Sequence, residues 1–231
     1  MNLGATVRAL AHVDPYGNLG REGTLGRLKK LLSPRWVVSK IALIIYERRH
    51  PDHPWITRDA VLLLEALLRP HHRGLEWGSG NGTRWFARRC SSLTSIEHHR
   101  DWYGKVRAQL DAEGLKNVDY RLAEEAAYLA SIDGFPDESL DFVVVDGLFR
   151  AQSFLRSIPK VKKDGFILFD NVNWFLPSTS RTPHSRSHQD GPFIGPHGDD
   201  FTDVAEGVRD WKVLWTTNGV NDTAIFVKPG A

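Results

Sequence analysis

Hydrophobic positions along the chain change their period near residue 74. Before it, apolar residues recur at helical spacing. Val37, Ile41, Ile44 and Ile45 form one stripe, and Ala60, Val61, Leu64 and Leu68 a second. Ser33-Pro34 is a cap and first-turn pair for the first helix, whose last turn carries Arg48-Arg49, where cations suit the dipole. Pro51-Asp52-His53-Pro54 breaks the chain, and Thr57 caps a second helix over residues 58–68. The first stripe is expected to pack on the main sheet or on a partner subunit, with a membrane surface as the alternative. Residues 24–32 read as a short basic helix, and residues 1–23 as irregular around a turn cluster at Asp14-Pro15-Tyr16-Gly17-Asn18.

Beyond residue 74, short apolar runs alternate with amphipathic stretches. Strands are predicted at 74–77, 93–97, 118–122, 140–146 and 166–170, and helices at 83–89, 100–113, 124–130 and 151–158. Such alternation gives an α/β fold with a doubly wound, mostly parallel sheet. Phe142-Val143-Val144-Val145 is continuously apolar, as a strand covered on both faces requires. Gly114 ends one helix, and Lys163-Asp164-Gly165 reads as a turn before the fifth strand. Residues 173–200, rich in Ser, Pro, Gly and His, interrupt the pattern, either as a lid or substrate loop or as a disordered connection. Strands at 211–217 and 223–228 around Asn218-Gly219 close the chain as a hairpin, making seven strands in all. The expected organisation is an N-terminal helical extension over 1–72 and an α/β core over 73–231.

Composition narrows the classes. At 231 residues the chain suits one sizeable core. The net charge is +2 and the arginines are scattered, so the concentrated basic face of a nucleic-acid binder is not expected. The single Cys90 rules out an internal disulfide and a cysteine zinc cage, which fits a reducing compartment. The first residues lack the apolar region of a secretory signal, and the longest apolar run, 41–45, is too short to span a bilayer. The expectation is a cytoplasmic protein without a membrane span. Self-association stays open.

The chemistry gathers around LEWGSGNGTRWFA, residues 75–87. An apolar strand carrying Glu76 ends in alternate glycines, Gly78, Gly80 and Gly82, with Ser79 between the first two. Thr83 is expected to cap the helix that follows. Glycines permit a tight turn and close approach of a ligand to the backbone. The helix start offers unpaired N–H groups to a carboxylate. Glu97 ends the next strand about twenty residues on, the spacing at which an acid accepts hydrogen bonds from ribose hydroxyls. His98 and Trp102 are placed to flank an adenosine. Asp146 and Asp170 end the fourth and fifth strands, so four acids line the carboxyl edge of the sheet, where such folds bind ligands.

GxGxG behind an acid resembles the first motif of class I S-adenosylmethionine (SAM) methyltransferases. In that family the acid helps to hold the methionine ammonium. PWITRDAVLLLEALL, GLEWGSGNGTRWFARR, TSIEHHRDWY, LDFVVVDGLFR, DGFILFDN and NGVNDTAIFVKP together resemble a group of bacterial members, over roughly three-quarters of the chain. The resemblance implies a Rossmann-like methyltransferase fold with SAM held by Glu76, Gly78, Ser79, Gly80, Gly82, Glu97, His98 and Asp146. Two pieces also resemble catechol-type, cation-dependent O-methyltransferases, which implies a divalent cation such as Mg²⁺ on Asp146, Asp170 and Asn171. Those enzymes carry a lysine base three residues after the first Asp. Here that position is Phe149, followed by Arg150.

The expected activity is SAM-dependent methylation of a hydroxyl on a small acceptor, a sugar or another metabolite, with Asp146 and Arg150 at the reaction. Arg150 is suited to an anionic acceptor group. His184, His188 and His197 are candidate bases in the long loop. An NAD-dependent oxidoreductase and a non-catalytic SAM-binding protein are the alternatives. Dinucleotide folds favour GxGxxG, and no Tyr-x-x-x-Lys pair is present, which weighs against the first. Nucleic-acid amino-methylating enzymes carry (Asp/Asn)-Pro-Pro-aromatic after the fourth strand, where this chain reads Asp146-Gly147-Leu148-Phe149.

Overall fold

The computed structural model describes residues 33–195 and 199–230. The expected basic helix over 24–32, the irregular stretch before it and His197 lie outside these. Helix α1 spans Pro34–Arg49, with the Ser33 hydroxyl accepting from the Trp36 N–H at 3.4 Å. The expected packing of its stripe on the sheet is not found. None of its residues is buried, and Val38, Ile41 and Ile45 are 67%, 40% and 45% exposed. The helix meets the body through Tyr46, whose hydroxyl lies 2.8 Å from His53 Nδ1, and through Ser39, beside the Gly219 turn. Helix α2, Arg58–Leu67, behaves as its pattern predicts. Thr57 Oγ1 accepts from the Ala60 N–H, and Ala60, Val61 and Leu64 are buried.

Seven strands form one sheet: β1 Arg73–Trp77, β2 Ser92–Glu97, β3 Val118–Leu122, β4 Leu140–Val145, β5 Val161–Asp170, β6 Lys212–Thr217 and β7 Asp222–Val227. Their order is β3-β2-β1-β4-β5-β7-β6, with β1 to β5 parallel and β7 antiparallel to both neighbours. This is the expected mostly parallel, doubly wound sheet with a C-terminal hairpin. Between the strands lie α3 Asn81–Ala87, α4 Arg100–Ala112, α5 Glu125–Ala130, α6 Arg150–Ser157 and α7 Thr202–Gly207.

Each sheet face has its own core. Leu75, Trp77, Val143, Val145, Ile167 and Phe169 pack with α6 and α7 on one side. Phe142, Val144, Phe166 and Leu168 pack with α2 and α3 on the other. The alternation explains why β4 reads as unbroken hydrophobic sequence, since both faces of a central parallel strand are covered. Strand order reverses between β1 and β4, so their following loops part at that point and leave a crevice at the carboxyl edge. No helix among the described residues is long and apolar enough to cross a membrane.

Two local readings are corrected. Lys163-Asp164-Gly165 lies inside β5, which begins at Val161. The register passes from Leu140↔Val161 to Phe142↔Phe166, so β5 carries extra residues there, with Asp164 at φ 60°. The Asp164 N–H donates to the Lys228 carbonyl and the Lys228 N–H to the Gly165 carbonyl, so β7's end holds the irregularity within the sheet. Helix α7 answers to no predicted element, although Phe201, Val204 and Val208 stand at helical spacing and are buried.

The segment after β5 is tied down. Asn173 Nδ2 donates to the Pro183 carbonyl at 3.0 Å, and the Arg186 N–H to the Asn173 carbonyl at 3.1 Å. Thr182 Oγ1 donates to Asp222 Oδ1 at 2.6 Å, while Trp215 Nε1 donates to Asp222 Oδ2 at 2.9 Å. The Phe193 N–H reaches the Phe175 carbonyl, and Phe175, Phe193 and Phe201 cluster over Phe169. Over residues 173–195 the connection is thus a packed cover on β5 and β7.

Candidate functional site

Loops after β1 and β4 meet back to back at the switch point. Gly78 has φ 88°, and a Cβ on it would stand 2.7 Å from Gly147 Cα. A Cβ on Gly147 would stand 2.0 Å from the Tyr128 hydroxyl and 2.8 Å from Gly78 N. Both must therefore be glycine for the fold's own packing. Gly80 differs: its backbone is extended, and a Cβ there would meet nothing within 4 Å. That open side is where a ligand can lie against the loop.

Gly80, rather than Thr83, is the N-cap of α3. Thr83 sits three residues in, where its Oγ1 accepts from the Gly80 N–H at 2.9 Å and donates to Glu76 Oε2 at 2.6 Å. Ser95, paired with Glu76 in register, donates to the same oxygen at 2.6 Å. Glu76 is buried, and both bonds fall on Oε2, with Oε1 3.3 Å from where a Cβ of Gly82 would stand. Burial pushes its carboxyl up to about 8, against the pull of the two hydroxyls. No cationic side chain among the described residues pairs with it.

Glu97, at the end of β2, has the opposite electrostatics. Its Oε2 accepts from the Ser79 N–H at 3.0 Å and the Ser79 hydroxyl at 2.7 Å. Its Oε1 accepts from the N–H groups of His98 and His99 at 2.9 and 2.8 Å. Burial alone would raise the carboxyl, but the donors of His98, His99 and Ser79 more than reverse this and hold it below the usual range. The His98 ring lies with Nδ1 3.2 Å from the same carboxylate.

Two further residues stand around this acid: Tyr120, which no sequence pattern singles out, and Trp102, expected to flank an adenosine. The Tyr120 hydroxyl lies 2.7 Å from Ser79 Oγ, and Trp102 Nε1 donates to the Ser79 carbonyl at 2.7 Å. Trp102 thus buttresses the glycine loop. Its neighbour in space is Trp55, at 6.3 Å between ring centroids. A long-range partner of this kind leaves no local sequence signal.

At the ends of β4 and β5, Asp146, Asp170 and Asn171 do come together, around Arg150. Phe149, at φ 47°, turns the chain so that Arg150 opens α6 and folds back over the strand ends. Its Nε donates to the Gly147 carbonyl, Nη1 to the Asp170 carbonyl and Asn171 Oδ1, and Nη2 to the Asp146 carbonyl and Oδ1. These acceptors take all the N–H groups of a guanidinium. Asp170 is buried, and its Oδ1 accepts from Thr223 Oγ1 at 2.5 Å. Burial first, and the charge of Asp146 second, push its carboxyl upward.

Two expectations bear on this arrangement. The Arg150 N–H groups are engaged by the strand ends. The residues expected to hold a divalent cation are engaged in part within the chain. Asp146 and Asn171 each give Oδ1 to Arg150, Asp170 gives Oδ1 to Thr223, and the guanidinium already balances the exposed carboxylate. Among the described residues no group of three His, Cys, Asp or Glu is arranged to hold a metal ion. Of the loop histidines, His184 stacks on Trp174 at 4.0 Å with φ 67°, and His188 is exposed.

Residues 75–172 match the family model of a methyltransferase domain. No curated protein matches the chain in sequence. Among solved structures, a methyltransferase from Geobacter sulfurreducens is similar at 16% identity and a TM-score of 0.52, over 91% of this chain and 98% of that one. An rRNA methylase from Streptococcus thermophilus is similar at 12% identity and a TM-score of 0.50, over 74% of this chain and 95% of that one. At such identities these likenesses show the fold. Sheet order and the matched segment define a class I SAM-dependent methyltransferase fold. A SAM-dependent methyltransferase activity is what they support in general.

Proposed function

We propose that this chain transfers a methyl group from SAM to a hydroxyl of a small acceptor, a sugar or another hydroxylated metabolite. The observation that carries the reading is Glu76, a buried carboxyl with no cationic side chain paired to it among the described residues, beside a loop whose Gly80 side is open. An amino-acid ammonium supplies the missing charge, and the open loop admits the rest of the cofactor. Glu76 would hold the ammonium, Gly78, Ser79, Gly80 and Gly82 the body of the molecule, and Glu97 the ribose. A ribose hydroxyl would take the Oε2 lone pair now used by Ser79 Oγ, which can turn to Tyr120 instead. His98 would line the adenosine side.

When bound, SAM supplies a sulfonium methyl open to in-line displacement by an oxygen nucleophile. The chain's own part is to orient that oxygen, exclude water and receive its proton. Asp146 is the more exposed of the two carboxylates at the strand ends, with a side chain 42% exposed, and its Oδ1 lies 2.7 Å from Arg150 Nη2. It accepts a hydrogen bond from the acceptor hydroxyl.

Calorimetry with SAM, S-adenosylhomocysteine and NAD tests the cofactor. Binding of the first two and not the third is expected, with both lost in Gly80→Val. NAD binding without S-adenosylhomocysteine binding would overturn the reading. Transfer of labelled methyl to a panel of sugars and polyols, with O-methyl products identified by NMR, tests the acceptor class.

A further inference from the structure

We infer that Arg150 is a resident cation that takes the place of a divalent ion at the ends of β4 and β5. The catechol-type resemblance led to a metal on Asp146, Asp170 and Asn171. The geometry gives those residues to a guanidinium. Arg150 Nη2 lies 2.7 Å from Asp146 Oδ1, and Nη1 lies 3.3 Å from Asn171 Oδ1 and 2.7 Å from the Asp170 carbonyl. Bonds to the carbonyls of Gly147 and Asp146, each at 3.2 Å, complete the set. A Mg²⁺ ion needs oxygens at ~2.0–2.1 Å around one centre. Here oxygens of the same three residues, with the Asp170 backbone carbonyl in place of its carboxylate, converge on a planar fork that cannot lose its charge.

The fork is built in rather than laid on. Its side chain is 15% exposed, and the guanidinium carbon lies 5.7 Å from the centre of the Phe175 ring. Phe175 is itself stacked on Phe169 of β5 and on Phe201. Left-handed backbone at Phe149 delivers Arg150 from one strand end, and left-handed backbone at Asn171 turns the amide toward it from the other. Two left-handed turns, at the ends of strands already paired at Val145 and Phe169, thus converge on one cation. Arg150 is accordingly a positioning residue: it sets the direction of Asp146 and fixes Asn171 against β4. This assignment does not depend on which cofactor the glycine loop binds.

Mn²⁺ alone is the probe, read by electron paramagnetic resonance and by the thermal midpoint, on the full chain without other ligands. Wild type is expected to bind no Mn²⁺ up to ~1 mM and to keep its midpoint in Mg²⁺, Mn²⁺ or EDTA. Arg150→Ala vacates the fork and leaves the Asp146 carboxylate, the Asn171 amide and the Asp170 carbonyl around the space it filled. Mn²⁺ should then bind at least about tenfold tighter than to wild type and raise the variant's midpoint. Adding Asp146→Asn to Arg150→Ala should remove that gain. Wild-type binding tighter than ~100 µM that Asp146→Asn abolishes would overturn the inference, as would an Arg150→Ala protein that folds and gains no Mn²⁺ affinity. If Arg150→Ala does not fold, wild type and Asp146→Asn decide it, together with Arg150→Met, which keeps the volume and removes the charge.

Discussion

Replacing Glu76 by Gln separates the charge of this residue from its shape. The amide keeps an oxygen for the Thr83 and Ser95 hydroxyls but cannot ionise. In wild type the folded state holds the Glu76 proton up to about pH 8, whereas an unfolded chain releases it near 4.5. Between those values unfolding is coupled to proton loss, so stability falls as pH rises. At ~1.4 kcal/mol per pH unit the whole displacement corresponds to about 5 kcal/mol, an upper figure for one buried group. Glu76→Gln should flatten this slope and be the more stable apoprotein at pH 8.

Cofactor binding runs the other way. An ammonium needs the ionised carboxylate, so SAM should bind with release of up to one proton below pH 8, and its affinity should climb as pH rises toward that value. Loss of a charge-assisted hydrogen bond costs about 1.5–3 kcal/mol, so the variant should bind SAM roughly tenfold to a hundredfold more weakly at pH 8. Urea titrations at several pH values measure the slope. Calorimetry in buffers of different ionisation enthalpy counts the protons. A wild-type slope that Glu76→Gln leaves unchanged, or SAM binding with no proton release at pH 7, would refute the reasoning.

Glycine substitutions should sort by what their Cβ meets. Gly80→Val should fold normally and lose SAM binding, whereas Gly147→Ala should lose about 1–3 kcal/mol or more of stability before any ligand is added, because its Cβ would stand 2.0 Å from the Tyr128 hydroxyl. Circular dichroism melts of the two apoproteins check this. Glu97→Gln is near-isosteric, yet its amide nitrogen cannot accept, so a donor of Ser79 or of His98 and His99 is left facing it at a cost of about 1–3 kcal/mol. The stability from Glu97's low carboxyl is present above about pH 4.5 and lost as pH falls below it, so the variant's deficit should shrink in acid.

Most of the sheet was legible because burial on both faces forces unbroken apolar runs, as at Phe142-Val143-Val144-Val145. What failed, failed where long-range contacts outweighed local preference. Lys163-Asp164-Gly165 has turn composition and Asp164 does take a left-handed conformation, but pairing with β7 keeps the segment in the strand. The stripe on α1 is amphipathic enough to suggest a core, and the body offers it none. Helix α7 has no side-chain cap to announce it in the sequence, and its apolar residues follow a long polar stretch. At the site, the positions of Glu76, Glu97, Asp146 and Asp170 followed from strand ends alone. The Ser79–Tyr120 contact and the engagement of every Arg150 N–H depend on distances that no spacing rule contains.

These acids show why position does not specify electrostatic role. Each ends a parallel strand at one edge, and each is handled differently. Glu97 has four donors, three of them backbone N–H groups, and stays charged with no help from a ligand. Glu76 has two hydroxyls on one oxygen, too little to offset burial, so a neutral form prevails until a cation arrives. Asp146 is given a cation by the chain itself, and that cation is tied at the same time to the Asp170 carbonyl and Asn171. Turning Arg150 toward a substrate would break its bonds to Asp146, Asn171 and the Asp170 carbonyl. Asp170 is buried and pushed upward as Glu76 is, with the Thr223 hydroxyl on its Oδ1, so it too favours a neutral form. On the proposed function it is Glu76, beside the open Gly80 side of the loop, whose charge a cationic ligand group would complete.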